Sequence, residues 1–80
     1  MEKRVAVMSI IVENTESIET LNGTLHEFRS YIIGRMGLPY HQKNINIISI
    51  ALDAPQDVIS ALSGRIGNLD GVSVTIAFSK

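Results

Sequence analysis

The chain contains no cysteine and no tryptophan. Without cysteine there is no disulfide framework, thiolate zinc site, iron–sulfur cluster or thiol nucleophile. No apolar run approaches the roughly 18 residues a transmembrane helix needs, so no membrane partner is expected. Charge of one sign is missing too: 7 Lys and Arg stand against 8 Asp and Glu, for a formal net charge of -1. That leaves no general basic field to gather nucleic acid or an anionic membrane. The amino terminus, Met1-Glu2-Lys3-Arg4, carries mixed charge and leads into a short apolar stretch with no small-residue cleavage site. It predicts no secretory signal, and with the absent cysteines it points to the cytoplasm. Repeats, low-complexity tracts and linkers are also absent. What is present is 80 residues, 45% of them hydrophobic, which predicts one globular domain over residues 1–80.

Val5 to Val12 is short, β-branched and bounded by Glu13-Asn14-Thr15, the pattern of a buried strand. Asn14, Thr15 and Ser17 suit a helix N-cap, with Glu16 and Glu19 in the first turn. Ile18, Leu21, Leu25 and Phe28 then recur at spacings of three and four, which predicts a helix from Thr15 to Ser30. Tyr31 to Gly37 reads as a second strand with two glycines, ended by Pro39. Ile45 to Leu52 reads as a third strand. Asp53 or Ala54 is expected at the cap of a second helix, with Pro55 in its first turn. Val58, Ile59, Leu62, Ile66 and Leu69 form its stripe, Gly67-Asn68 its C-terminal cap, and Gly71 the turn into a fourth strand, Val72 to Ser79.

The order β-α-β-β-α-β predicts an α+β, ferredoxin-like fold: a four-stranded antiparallel sheet with two helices on one face. The uncovered face of such a sheet should be polar in a monomer. The fourth strand obeys, with Ser73, Thr75, Ala77 and Ser79 opposite Val72, Val74, Ile76 and Phe78. The first and third do not, because both of their alternating sets are mainly apolar. Each large apolar side chain left in water forgoes roughly 1.5–3 kcal/mol, and a patch of several is rare on a soluble monomer. The pattern therefore predicts a homo-oligomer, a dimer or a tetramer. The competing reading is that terminal or loop segments fold over the open face.

Chemical motifs are sparse. His26 and His41 stand without His-x-x-x-His spacing or a carboxylate cluster, so no metal site is expected, although a two-histidine site shared between subunits stays open. Ser9, Ser49, Ser60, Ser63 and Thr75 have no evident base and no nucleophile elbow. Gly34 to Pro39 lacks the Gly-Lys-Ser/Thr ending of a phosphate loop. Acylphosphatases of this fold class place an arginine after the first strand, where this chain has Glu13-Asn14-Thr15. No catalytic residue and no cofactor are therefore expected. RNA-recognition modules of this topology stack bases on central-strand aromatics, and the expected central strands carry none. Two places invite a ligand. Gly34 and Gly37 bracket Arg35, whose guanidinium suits a carboxylate or phosphate; the plain alternative is a bulge with an exposed arginine. The Glu13-Asn14-Thr15 turn presents helix N–H groups; its plain alternative is ordinary capping. The candidate effector contacts are Glu13, Asn14, Gly34, Arg35, Gly37 and Tyr40.

Longer phrases resemble a known family. Tyr31-Ile32-Ile33-Gly34-Arg35-Met36-Gly37-Leu38-Pro39-Tyr40 is similar to the iron-only hydrogenase system regulators, as is Asp53 to Gly67 followed by Leu69, Gly71, Val72 and Val74. Arg4-Val5-Ala6-Val7 and Leu25-His26-Glu27 match as well. The resemblance implies an ACT-like domain, similar to the effector domain of the nickel-responsive repressor, linked to iron-only hydrogenase maturation. It supplies no catalytic residues. The repressor's metal-ligand cysteine and its ribbon-helix-helix arm are missing here, so neither nickel sensing nor direct DNA contact carries over. The expectation is a non-catalytic regulatory domain that binds a small effector or a protein partner at a subunit interface. The alternative is a scaffolding subunit that docks on a hydrogenase-maturation protein and takes no small ligand; a DNA-binding oligomer comes third.

Overall fold

The β-branched run after Lys3 forms the first strand, β1 (Lys3–Val12), and its period of two sends Ala6, Met8, Ile10 and Val12 into the interior. The computed structural model describes residues 2–80; Met1, part of the mixed-charge terminus, lies outside the described residues. A 3₁₀ turn at Thr15–Ser17 leads into α1 (Ile18–Glu27), and a second at Arg29–Tyr31 leads out of it. The continuous helix expected from Thr15 to Ser30 is therefore shorter, with 3₁₀ geometry tightening both ends. The stripe holds: Leu21 and Leu25 are buried, while Ile18 and Phe28 pack at its margins.

Next come β2 (Ile32–Tyr40), a 3₁₀ turn at His41–Lys43, β3 (Ile45–Pro55), α2 (Gln56–Gly67) and β4 (Val72–Phe78). All neighbouring strands pair antiparallel, in the order β2-β3-β1-β4. The two long strands are central and β2 and β4 are edges. That position explains one departure from expectation. Pro39 does not end the second strand but pairs opposite Asn46, because an edge strand has one side with no ladder partner to miss its N–H. The bulge offered as the plain alternative around Arg35 is present, but at the start of β2 rather than before Pro39: Ile32 faces Leu52 and Gly34 faces Ala51, which leaves Ile33 as the extra residue. The second helix also starts later than expected. Ala54 is buried opposite Arg4, and Pro55, opposite Lys3, is the N-cap. The length of β1 keeps β3 paired through that point.

The core lies between the helices and one sheet face. Ala6, Met8, Ile10 and Val12 of β1 and Ile48, Ile50, Leu52 and Ala54 of β3 meet Leu21, Leu25, Ile59, Leu62 and Ile66. Gly71 turns the chain into β4 with φ of 70°. The other sheet face is bare among the described residues. Its cross-strand rows run Leu38, Ile47, Ile11, Ser73; then Met36, Ser49, Ser9, Thr75; then Gly34, Ala51, Val7, Ala77. Val7 is 42% exposed, Ile11 42% and Ile47 40%. These are central-strand residues, so no terminal or loop segment among those described covers them.

Candidate functional site

Alternation along β2 decides where its side chains go. Arg35 pairs with Ile50, a core residue, so it belongs to the helix side of the sheet. There its Nη2 donates to Asn22 Oδ1 of α1 at 2.6 Å. Between α1 and this edge strand lies an open cleft of about 300 Å³ lined by Asn22, Leu25, His26, Arg29, Ile32 and Arg35. Leu25 and Ile32 give it an apolar floor, and the others ring it with nitrogen donors. Arg29 Nη1 donates to the His26 backbone carbonyl at 2.8 Å, satisfying one of the open carbonyls at the end of α1. Neither arginine has an acidic partner within ion-pair distance, since the one salt bridge among the described residues joins Arg65 to Glu27.

The other candidates lie elsewhere. Asn14 is held in two directions: its Oδ1 accepts from Glu16 N–H at 3.0 Å, and its Nδ2 donates to Asp70 Oδ2 at 2.6 Å. Glu13 N–H donates to the Gly71 carbonyl at 2.7 Å, and Ser17 Oγ–H to the Asp70 carbonyl at 2.7 Å. This turn thus fastens the end of β1 to the start of β4. Gly34 and Tyr40 fall on the open face with Met36 and Leu38, whereas Gly37 falls on the helix side opposite Ile48. A Cβ at Gly34 or Gly37 would meet no atom within 4 Å, so nothing inside the subunit demands glycine there. Tyr40 donates its hydroxyl to Gln42 Oε1 at 2.6 Å. Arg35 and Tyr40 are five residues apart along β2, roughly 16 Å by strand rise. The six candidates are therefore spread over the cleft, the open face and the end of β1.

Asn22 and Arg29 were not among the sequence candidates, yet they carry a signal. Asn22, His26 and Arg29 recur at spacings of four and three, which puts them on one helix face beside the apolar stripe. His41 starts the turn beyond the far end of β2 from His26, so within one subunit the two histidines are on the order of 25 Å apart. Among the described residues no three of His, Cys, Asp and Glu gather as a metal cluster. Arg4 packs over the Phe78 ring, 4.4 Å from its centroid, and donates to Gln56 Oε1 at 2.7 Å.

Glu27 accepts from Arg65 Nη1 at 2.6 Å, and that hydrogen bond, aided by the guanidinium charge, holds the Glu27 carboxyl below its ordinary pKa. A carboxyl lowered in the folded state contributes stability above its unfolded pKa and loses it as pH falls through the folded one. The Arg65→Gln variant is expected to melt slightly below the parent at neutral pH. The gap should narrow as pH drops below the carboxylate range, and it should shrink in high salt because the pair is exposed. Calorimetric melts across that pH range read the effect.

No helix is long and apolar enough to cross a membrane among the described residues. No curated protein matches the chain. Among solved structures, a formyltetrahydrofolate deformylase from Pseudomonas putida KT2440 superposes with a TM-score of 0.65 at 14% identity, over 91% of this chain and 28% of that one. At that identity it shares the fold alone, in agreement with a ferredoxin-like, ACT-like domain. A protein of Thermotoga maritima, the uncharacterized protein TM1266, superposes with a TM-score of 0.95 at 35% identity, over 99% of this chain and 100% of that one. The TM1266-like family model, described as "Iron-only hydrogenase system regulator, putative", matches residues 4–76. With nearly every element inside both matches, the chain belongs to the TM1266-like family of iron-only hydrogenase system regulators.

Proposed function

We propose that this protein is a non-catalytic regulatory module of an iron-only hydrogenase system and works as a homo-oligomer, a second copy covering the open sheet face. The family description supports the regulatory part. The observation that carries the assembly is the exposed apolar centre of the sheet, Val7, Ile11 and Ile47. The face is also uneven in a way that suits a twin. It stands high along β2 and β3, with Met36, Leu38, Tyr40 and Ile47, and low along β4, with Ser73, Thr75 and Ala77. A two-fold axis parallel to the strands sets the high half of one copy over the low half of the other, the self-complementarity an isologous contact needs. Four strands at about 4.8 Å and ten residues at about 3.3 Å span roughly 20 by 33 Å, the same order as the about 800 Å² per partner that stable interfaces bury.

Control by such an assembly requires an effector that binds one arrangement better than another. Gly34 and Tyr40 at the open face, and Arg35 on the same strand, are the contacts nearest that interface; Glu13 and Asn14 are at its end. Thermal-shift screening against amino acids, nucleotides and metal ions tests the reading. One ligand class at a hundred times its Kd is expected to stabilise by about 2.7 kcal/mol, a Tm rise on the order of 10 °C. No shift from any class, with stoichiometric binding of a hydrogenase-maturation protein, would make the chain a scaffold instead.

A further inference from the structure

We propose that the cleft between α1 and β2 is a binding site for a small organic dianion, a phosphate monoester or a short dicarboxylate. The proposal names a ligand class for the effector reading at Arg35 and rests on that reading only there. Arg29 and Arg35 both line this one concave site, and neither has a carboxylate within ion-pair distance to neutralise it. Each guanidinium has five N–H donors in a planar fork. In the contacts above Arg35 gives one nitrogen to Asn22 Oδ1 and Arg29 one to the His26 carbonyl. These neutral acceptors hold the side chains in place without cancelling their charge, and they leave further donors for an oxyanion. Asn22 and His26 add polar atoms at the rim. Leu25 and Ile32 supply an apolar floor for the ligand's carbon part. The volume, about 300 Å³, is at the small end of the range for metabolite sites, which suits a ligand of a few carbons rather than a nucleotide. Two fixed positive charges select a double negative charge, because a monoanion leaves one guanidinium unpaired.

The test is a ¹⁵N NMR titration of the full chain with inorganic phosphate and, separately, with succinate, at constant ionic strength against chloride. Saturable shifts at Asn22, His26, Arg29 and Arg35 are expected with at least one of the two dianions and not with chloride; which one saturates tells phosphate from carboxylate. Arg35→Gln and Arg29→Gln are each expected to weaken that binding at least tenfold. Both residues are exposed, so the variants should fold, and circular dichroism melts confirm it. Arg4→Gln, outside the cleft, should bind like the parent. Shifts that stay linear or match those with chloride, or an Arg35→Gln variant that binds undiminished, would overturn the proposal. Solution mass is measured on the same samples. An oligomer that binds neither dianion removes the cleft assignment and leaves the regulatory assembly standing; a monomer that binds one through Arg35 does the reverse.

Discussion

Ile47→Asp is expected to yield a folded monomer of 8.8 kDa by light scattering at micromolar concentration, and the parent is expected to give a multiple of that mass. Ile47 is on a central strand between Leu38 and Ile11 and is exposed on the open face. The new carboxylate leaves the single chain's core untouched, so the subunit keeps its fold. In a symmetric pair the substitution enters twice, and each copy must bury a charge with no partner. A combined penalty of about 4 kcal/mol weakens association roughly a thousandfold. Ala61→Asp, on the exposed side of α2, is the matched control and should leave the mass unchanged. A charged residue at Ile47 that left the assembly intact would place the interface elsewhere.

Gly71→Ala is expected to be the most destabilising of the glycine-to-alanine substitutions in the chain. Gly71 has φ of 70°, and an added Cβ would be 2.7 Å from Asn14 Cβ and 2.8 Å from Asn14 N. The second of these is backbone, itself fixed by the Glu13 to Gly71 hydrogen bond and by the cap that Asn14 provides. Left-handed backbone strain and overpacking of this kind cost together about 3 kcal/mol. For a domain of this size that lowers Tm by roughly 12–24 °C. Gly34→Ala, with open space around it, is expected to move Tm by no more than a few degrees. Melting curves of the two variants side by side check the contrast.

The fold was legible because the chain repeats its instructions at several levels. The stripes Leu21, Leu25 and Ile59, Leu62, Ile66 have the helical period, and the alternation Val72, Val74, Ile76, Phe78 has the strand period. Even the excess of apolar residues in β1 and β3 was visible, since both alternating sets are greasy. Element ends were less legible where tertiary pairing overrides local signals. Pro39 stays in a strand because that strand is an edge, and Asp53 and Ala54 stay in one because β1 is long enough to pair with them. The candidate site was only partly legible. Arg35 stood out beside its glycines, but which way it points depends on the bulge at Ile33, which shifts the register of β2 by one residue. Without that register, Asn22, His26 and Arg29 could not be joined to it. Asn14 drew notice as a ligand contact because a cap and a binding turn use the same residue types; its link to Asp70 crosses 56 positions and leaves no local trace.

Sedimentation equilibrium of the unmodified chain at micromolar concentration bears most directly on the claim that two subunits complete one another's sheet. A dimer or tetramer mass is the predicted result. A lone 8.8 kDa species, stable on dilution, would mean that Val7, Ile11 and Ile47 tolerate water, and the interface on which the regulatory reading depends would not exist.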